Sequence, residues 1–402
     1  MLGVSGMGPA AVDAAIVVSE RAETRVRDSN EPSGRAIDLE TAPAVLVRVD
    51  DRRWRLDANY SPRFTTRSVG RDNEEHDTLQ RAAVGASWHD RRVSISLRED
   101  ASFGDQNFSS LGTPQGPVAT TAPAVQLLPP SASIRYASTR ATATLSITLS
   151  RRWSSTTSAD YGASGGIDDP SRAVIPLQSG PRAEQQLFFQ ASRRDSIGAI
   201  IAASRVVFSS GPEADLQESS AVWRRSLTRT IDLGLRVGAT VSGTRLTPLV
   251  PVTVIVWPVG ELSIRNHRVD RYSISLSVRA SPVVDRLTGV IDERLQTNMS
   301  VRWMLAPRWV LRGDGGLATS LRSPANHAVT VLLSEIVLGW KIRTNVVLEF
   351  GARTAWQRQE GLPLDRPQWV GFAAATFTTA PVSTTSPIAP SSSISLGTRV
   401  QP

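Results

Sequence analysis

Apolar and polar residues alternate one by one over many short segments of this sequence. Residues 54–61 place Trp54, Leu56, Ala58 and Tyr60 at one parity and charged or polar residues at the other. A helix would scatter both sets around its axis, whereas a strand puts one set on each face. The same pattern recurs at 93–98, 140–149, 231–238, 272–279 and 298–303. The alternation predicts many β-strands, although residues 197–207 have two nearly apolar faces and keep both orientations open.

Short polar turns join these segments in pairs, and most of the turns carry arginine. The connections between successive pairs are all longer, so short and long links alternate along the chain. The short turns are 50–53, 89–92, 150–152, 193–196, 228–230, 267–270, 306–308 and 341–344. This alternation is typical of a meander of antiparallel hairpins.

The number of strands predicts a closed barrel. Eight short turns define sixteen strands, and the end segments 16–27 and 369–378 bring the total to eighteen, with both ends on the short-turn side. Bacterial membrane barrels have even strand numbers, short periplasmic turns and long extracellular loops. At this size a barrel is wide enough for an aqueous channel. The predicted fold is therefore an all-β, transmembrane, antiparallel up-and-down β-barrel of about 18 strands.

The pattern of alternating strands and turns continues from residue 16 to 378 without a change in composition or periodicity, which predicts one domain. Residues 379–402 are rich in Ser, Thr and Pro and are expected to form a disordered tail. Residues 1–15 lack a basic leader region, but their small residues resemble the end of a signal peptide. We expect them to be the remnant of a leader, with a misassigned start codon, and we expect the protein in the outer membrane of a Gram-negative bacterium. The long connection 104–138 has two interpretations, a constriction across the mouth or a mobile surface loop.

Composition narrows the function further. The formal net charge is +8 and the pI about 10.8, yet the arginines are dispersed among turns and alternate strand positions, so nucleic-acid binding is not expected. Cysteine is absent, which excludes disulfides and thiolate metal sites. No segment approaches 18 consecutive apolar residues, so an α-helical membrane span is not expected.

The two faces of the predicted strands assign residues to the lumen and to the membrane interface. The expected lumen-lining residues are Arg55, Asp57, Arg63, Arg98, Asp100, Arg140, Asp160, Asp232, Arg236, Arg279, Arg302, Arg312, Asp314, Glu349 and Arg353. The expected aromatic girdle consists of Trp54, Trp88, Trp153, Trp309, Trp340, Trp356 and Trp369. Surplus arginine in the lumen would mildly favour anions; alternatively, the charges pair across strands and order the wall.

Motifs for catalysis are weak. Gly162, Ser164 and Gly166 spell G-x-S-x-G, but they fall in a predicted long connection, 162–183, with no helix expected after them, so we expect no nucleophile elbow. The histidines are scattered, and His267 near Ser273 is the one pair that a rim hydrolase would need. We expect no catalytic residue, no metal site and no cofactor.

The chain resembles the myxobacterial outer-membrane β-barrel proteins that serve as export porins for secreted polysaccharides. The segments that carry the resemblance are 19–25, 38–41 leading into 44–49, and 53–60, and it would cover about residues 16–378. It implies an 18-stranded barrel that works with a periplasmic polysaccharide-export protein and passes a glycan chain outward. It assigns a role to no individual residue.

Four functions therefore stay open from the sequence. The preferred one is an outer-membrane channel for exopolysaccharide, with outer-membrane lipids, a periplasmic export protein and a glycan chain as partners. The alternatives are a general diffusion porin for small, mildly anionic solutes, a rim hydrolase, and a soluble propeller or adhesin. The spacing of the short turns is close to a propeller period, but each interval supplies two long strands rather than four short ones. The oligomeric state is not predicted.

Overall fold

Successive hairpins build almost all of the structure. The computed structural model describes residues 11–25, 36–69, 73–107, 133–245, 252–266, 271–285, 289–322, 329–359 and 368–379. The elements are β1 (Ala11–Arg25), β2 (Ala36–Asp50), β3 (Trp54–Tyr60), β4 (Arg63–Val69), β5 (Asn73–His89), β6 (Val93–Asn107), β7 (Ser133–Thr148), β8 (Trp153–Gly166), α1 (Asp169–Val174), β9 (Gln178–Gln190), β10 (Asp195–Phe208), β11 (Glu213–Ser226), β12 (Ile231–Arg245), β13 (Thr253–Asn266), β14 (Tyr272–Val284), β15 (Ile291–Ala306), β16 (Trp309–Arg322), β17 (Val329–Arg343), β18 (Val346–Gln359) and β19 (Gln368–Thr378).

The strands form one antiparallel sheet that closes on itself. Apart from β3 and β4, which do not pair with each other, each strand pairs with its sequence neighbours, and β19 pairs with β1 from Val17 opposite Thr378 to Arg25 opposite Val370. Because the sheet closes, it has no free edge and every strand pairs on both sides. The prediction of a closed antiparallel barrel is confirmed.

Two of the strand segments share one position in the barrel. β3 and β4 both lie between β2 and β5, and they are separated only by Ser61 and Pro62. Proline has no N–H to contribute to a ladder, so the strand is interrupted there. The Ser61 N–H still donates to the Arg81 carbonyl at 2.9 Å. The nineteen segments therefore fill eighteen positions, as the sequence predicts.

The short turns lie where the alternation places them. β2 and β3 are joined across 51–53, β5 and β6 across 90–92, and β15 and β16 across 307–308. The turn at 267–270 lies outside the described residues, although β13 and β14 pair beside it. Ala11 pairs with Asp50, directly before the first short turn, so β1 begins at the short-turn end, where β19 also finishes.

The ends of the strands differ from the prediction. The first strand begins at Ala11 rather than residue 16, and several strands extend into the predicted long connections, which are correspondingly shorter. Strand pairing continues as long as backbone partners are available, even where side-chain alternation is weak. The expected leader remnant at 1–15 is described only from residue 11, where it is strand, and the expected tail lies outside the described residues beyond Thr379.

One helix interrupts the long connection after β8. α1 begins at the N-cap Asp168, whose carboxylate accepts a hydrogen bond from the Ser171 N–H at 2.9 Å, and Pro170 lies in its first turn. Among the described residues, no helix is long and apolar enough to cross a membrane.

Candidate functional site

Opposite faces of each strand differ sharply in exposure. Along β12, Leu235 and Val237 are exposed, whereas Arg236 between them is 7% exposed. In a soluble sheet the apolar face would be the buried one. Here the apolar parity is exposed in strand after strand, as at Leu56, Ile201 and Ile336. The arrangement fits a barrel with an apolar outer surface and a polar inner wall.

Long-range ion pairs identify the inner face independently. Arg279 of β14 lies 3.3 Å from Glu218 of β11, with β12 and β13 between them. Arg353 of β18 lies 3.6 Å from Glu23 of β1, with β19 between them. Adjacent strands are spaced by about 4.8 Å, so the first pair bridges roughly 14 Å of sheet. Side chains reach that far only where they converge on the concave side.

Every residue assigned to the lumen from the sequence lies at this inward parity. Many form ion pairs: Arg55 with Asp50 at 2.6 Å, Arg98 with Asp100 at 2.7 Å, Arg140 with Asp160 at 3.3 Å, Arg63 with Glu40, Arg236 with Glu218, Arg312 with Glu349, and Arg353 with Glu335. Arg279 contacts Glu218, as described above. Their role in transport stays a prediction. The structure brings most of these pairs together across strands, whereas Arg98 and Asp100 pair along β6.

The other four expected lumen residues differ in their contacts from the ion-paired residues above. Asp57 occupies space that a side chain at Gly85 would take, because a Cβ there would lie 2.8 Å from the Asp57 carboxylate oxygens. Asp232 accepts a hydrogen bond from the Ser226 hydroxyl at 2.8 Å. Arg302 lies opposite Arg312, and Asp314 lies opposite Glu335 with its side chain exposed.

The sequence analysis missed most of the inward carboxylates and several arginines. Arg182 and Glu184 pair at 2.5 Å, Arg21 and Glu23 at 2.6 Å, and Arg294 contacts both Asp285 and Asp292. Glu218 contacts Arg236 and Arg279 together. These carboxylates offset part of the lumen arginine counted from the sequence, and the expected surplus stays a prediction.

Hydroxyl groups form two patches on the inner wall toward the short turns. Two groups of neighbouring strands carry them: Ser94, Ser96, Thr144, Ser146, Ser154 and Thr156 on β6–β8, and Ser273, Ser275 and Ser300 on β14 and β15. Ser146 and Thr156 are 3.2 Å apart, and Ser275 and Ser300 are 2.7 Å apart. Ser94, Ser96 and Ser154 are exposed although they face inward. The lumen is therefore open in this half.

Inward residues toward the long connections are buried, and several of them are large and apolar. Tyr136 is 2% exposed, Val331 1%, Val370 2% and Trp257 0%. The Trp257 indole N–H donates to the Ser242 hydroxyl at 2.7 Å, which satisfies its polar atom inside the barrel. An inward tryptophan is indistinguishable in sequence from a girdle tryptophan unless the strand parity is known. Burial of the inner wall itself indicates that this half of the lumen is filled.

The segment around α1 contributes to that filling. Ile175, 1% exposed, packs with Ile134 and Tyr136, which are inward residues of β7. The Ser171 hydroxyl accepts from the Arg135 N–H at 2.9 Å, and the Gly166 N–H donates to the Ile175 carbonyl at 2.9 Å. Residues 167–177 are therefore folded back against the inner wall and narrow the lumen. The alternative constriction expected from the sequence, 104–138, lies mostly outside the described residues.

The expected absence of a helix after the G-x-S-x-G pattern is wrong. Ser164 lies in β8, and α1 begins a few residues later. Nevertheless the serine is fully buried in a paired strand and its hydroxyl accepts from Gln178 at 3.4 Å, whereas a nucleophile elbow exposes its serine at a strained turn. His267 lies outside the described residues. Among the described residues, no group of three or more His, Cys, Asp or Glu side chains could hold a metal ion.

The seven girdle tryptophans all lie at the outward parity. Near the short turns, Trp54 and Trp88 have ring centroids 6.4 Å apart, and Trp309 and Trp340 are stacked at 5.3 Å. Trp153 contacts Phe189 at 4.9 Å, and Trp356 and Trp369 lie toward the long connections on β18 and β19. Contact with lipid headgroups stays a prediction for these rings. Trp303, also outward and half exposed, was missed.

Comparison with known proteins agrees with this geometry. The model of the EpsX exopolysaccharide export family matches residues 6–380. The chain belongs to this family. Membership in an export family, together with the barrel geometry, indicates an outer-membrane barrel channel. No curated protein matches the sequence.

Solved structures with a similar overall arrangement are outer-membrane porins. A BenF-like porin from Pseudomonas fluorescens Pf-5 has 8% identity and a TM-score of 0.47, covering 91% of this chain and 98% of the porin. Pseudomonas aeruginosa OccK2 (OpdF) has 8% identity and a TM-score of 0.47, covering 91% and 97%. Acinetobacter baumannii OccAB3 has 9% identity and a TM-score of 0.44, covering 91% and 98%.

Proposed function

We propose that this barrel is a conduit through the outer membrane of a Gram-negative bacterium for an exopolysaccharide of low charge. The observation that carries the proposal is the inner wall, where many charges are paired and two patches of hydroxyls line the open half. The family membership supports export of a polysaccharide. The proposal adds the direction of passage, from the short-turn mouth outward, and the charge class of the polymer.

Paired charges favour a weakly charged polymer. A pore that selects anions presents rings of cationic side chains that lack local counter-charges. On the described inner wall, Arg236, Arg279 and Arg353 each contact a carboxylate. Serine and threonine hydroxyls both donate and accept hydrogen bonds, as sugar hydroxyls do. A neutral glycan can exchange water for such partners without having to displace a tightly held counter-ion.

The orientation follows from the general architecture of membrane barrels, in which short turns face the periplasm. Outward tryptophans beside the short turns, such as Trp54, Trp153 and Trp309, support a membrane boundary at that level. The glycan would enter through the open, hydroxyl-lined half and meet the filled half last. Segment 167–177 must then move aside during export, because it occupies the path.

The experiment has a cellular part and a purified part. Deletion of the gene is expected to abolish surface polymer, and restoring the gene is expected to return it. In proteoliposomes, neutral glucose oligomers should permeate faster than uronic acid oligomers of equal length. Faster permeation of the uronic acid oligomers would contradict the charge class, and unchanged surface polymer after deletion would contradict export. Steady passage of all small solutes with no effect on surface polymer would instead support a general diffusion porin.

A further inference from the structure

Arginines recur at one equivalent position in the short-turn hairpins. The residue directly before the second strand of each hairpin is Arg53, Arg92, Arg152, Arg194, Thr230, Arg271, Arg308 or Asn345. About one residue in nine of the chain is basic, so roughly one arginine is expected among these eight positions by chance. Six are observed. The overall basic content of the chain does not explain that enrichment.

Backbone hydrogen bonds establish that the positions are equivalent. The carbonyls of Arg53, Arg92 and Arg152 accept from the N–H groups of His89, Thr148 and Gln190, at 2.9, 2.7 and 2.7 Å. The carbonyls of Arg194, Arg271 and Arg308 accept from Ser226, Met304 and Lys341, at 2.8, 2.7 and 2.8 Å. Each bond extends the ladder by one residue toward the neighbouring hairpin. We call these six arginines the rim ring.

The rim ring lies on the inner side of the mouth. Because the ladder continues through each of these residues, side-chain alternation continues too. The next residue in the chain is outward at Trp54, Trp153 and Trp309, so the arginine before it has the inward parity. The lipids surround the outer side of a barrel. The rim ring is therefore poorly placed to bind lipid phosphates.

The side chains of the rim ring are available for a partner. All six are exposed, and within the described part of the chain none makes an ion pair. Many deeper inward arginines are paired, as at Arg98 and Arg140. Exposed guanidinium groups bind carboxylates through two parallel hydrogen bonds, which gives both affinity and orientation.

The wall behind the rim ring argues against an acidic polymer as the occupant. The first inward residue beyond Arg92 is Ser94, beyond Arg152 it is Ser154, and beyond Arg271 it is Ser273. A track for a polyanion would continue with cationic side chains, as charged rings in selective pores do. Behind Arg53 the first inward residue is Arg55, but it pairs with Asp50 at 2.6 Å. Unpaired basic side chains are therefore concentrated at the mouth, which is the arrangement of a docking surface.

We propose that Arg53, Arg92, Arg152, Arg194, Arg271 and Arg308 form a docking ring for an acidic periplasmic protein that presents carboxylates to the short-turn mouth. The inference rests on the proposed function only for the orientation of the barrel. Such a partner would deliver the glycan coaxially, and its binding would weaken as salt screens the exposed charges.

The test uses two variants matched in number, charge and hairpin. The ring variant replaces Arg53, Arg92, Arg152 and Arg194 with Gln, and the control variant replaces Arg52, Arg91, Arg151 and Arg193, the exposed turn arginines directly before them. Binding of a polyglutamate peptide to the full chain in nanodiscs is measured at low and physiological salt. We expect the ring variant to bind about tenfold more weakly than wild type and the control variant to change about twofold or less.

Each alternative occupant of the mouth predicts a different experimental result. Equal loss in both variants, or binding that depends on anionic lipid in the nanodisc, overturns the docking ring. Passage of polygalacturonate faster than neutral glycan, lost in the ring variant, also overturns it in favour of an acidic polymer. In cells, the ring variant should lose surface polymer while its permeability to neutral oligomers in proteoliposomes is retained. Wild-type protein that passes no neutral oligomer would refute the proposed function but leave the polyglutamate result intact.

Discussion

Residues 167–177 offer the most direct test of the filled half of the lumen. The substitution Ile175→Ala removes most of the side chain that fixes this segment to Ile134 and Tyr136. Ile175 is 1% exposed, so the loss takes effect almost in full. Truncation of a buried isoleucine to alanine costs about 2–5 kcal/mol. A value of about 3 kcal/mol corresponds to roughly a hundredfold change in the ratio of released to docked segment.

The released segment should open the path without unfolding the barrel. The strands keep all their ladder hydrogen bonds, so the shift in gel mobility between unheated and boiled protein should remain as in wild type. In planar bilayers we expect higher single-channel conductance or longer open periods. Proteoliposomes should swell faster in neutral glucose oligomers. Both measurements report on the lumen rather than on the outer surface.

A matched control is provided by Ile201→Ala, which makes the same chemical change at an outward residue that is 61% exposed. It should leave conductance unchanged. Identical conductance and swelling in wild type and Ile175→Ala, with the barrel folded, would refute the conclusion that this segment narrows the path. An equal increase in both variants would show that the effect arises from general loosening of the barrel.

The remaining predictions concern charge, the outer belt and pH. Glu218→Gln leaves Arg236 and Arg279 with less counter-charge, so the reversal potential should shift toward anion selectivity and stability should fall by about 3–5 kcal/mol, measured by thermal unfolding in detergent. Trp309→Ala removes the ring stack with Trp340 and should lower stability by at least about 1 kcal/mol while conductance stays unchanged. Hydrogen bonds from Ser171 hold the pKa of Asp168 below its usual range, so this cap is retained down to about pH 4 and is lost as pH falls through the lowered pKa. Conductance should therefore rise only in stronger acid, and Asp168→Asn, which caps without titrating, should abolish that rise.

Local signals explain why the barrel could be predicted from the sequence. Period-two alternation and polar turns act over a few residues, so segments such as 231–238 specify both a strand and its orientation. Where alternation fails, orientation comes from pairing. β10 has Ile200 and Val206 inward and buried, and Ile197 and Ile201 outward and exposed. Its neighbours β9 and β11 impose that register, which the sequence of β10 alone leaves open.

Only part of the inner wall could be predicted from the sequence, because some of its residues lie where alternation is absent. Glu218 lies in a run of polar residues, 217–220, where no alternation identifies its face. Its contacts with Arg236 and Arg279 depend on the curvature of four strands. α1 did leave a signal, because Asp168, Pro170 and Ser171 form a cap with proline in the first turn. α1 is too short to show hydrophobic periodicity, so the capping residues were its only signal in the sequence.

The position of the longest ion pairs favours scaffolding over selectivity as their first role. Arg353 joins Glu335 on β17 to Glu23 on β1, across the strand that closes the barrel. At this seam the first and last strands pair, and an unclosed seam would leave two free strand edges. Paired charges screen each other and contribute little field along the lumen, but they do hold side chains from strands that share no ladder. The charged inner wall is therefore compatible with the proposed neutral cargo, because its arginines stabilise the closed shape of the barrel. In that proposal the hydroxyls beside them are the groups that would contact the glycan.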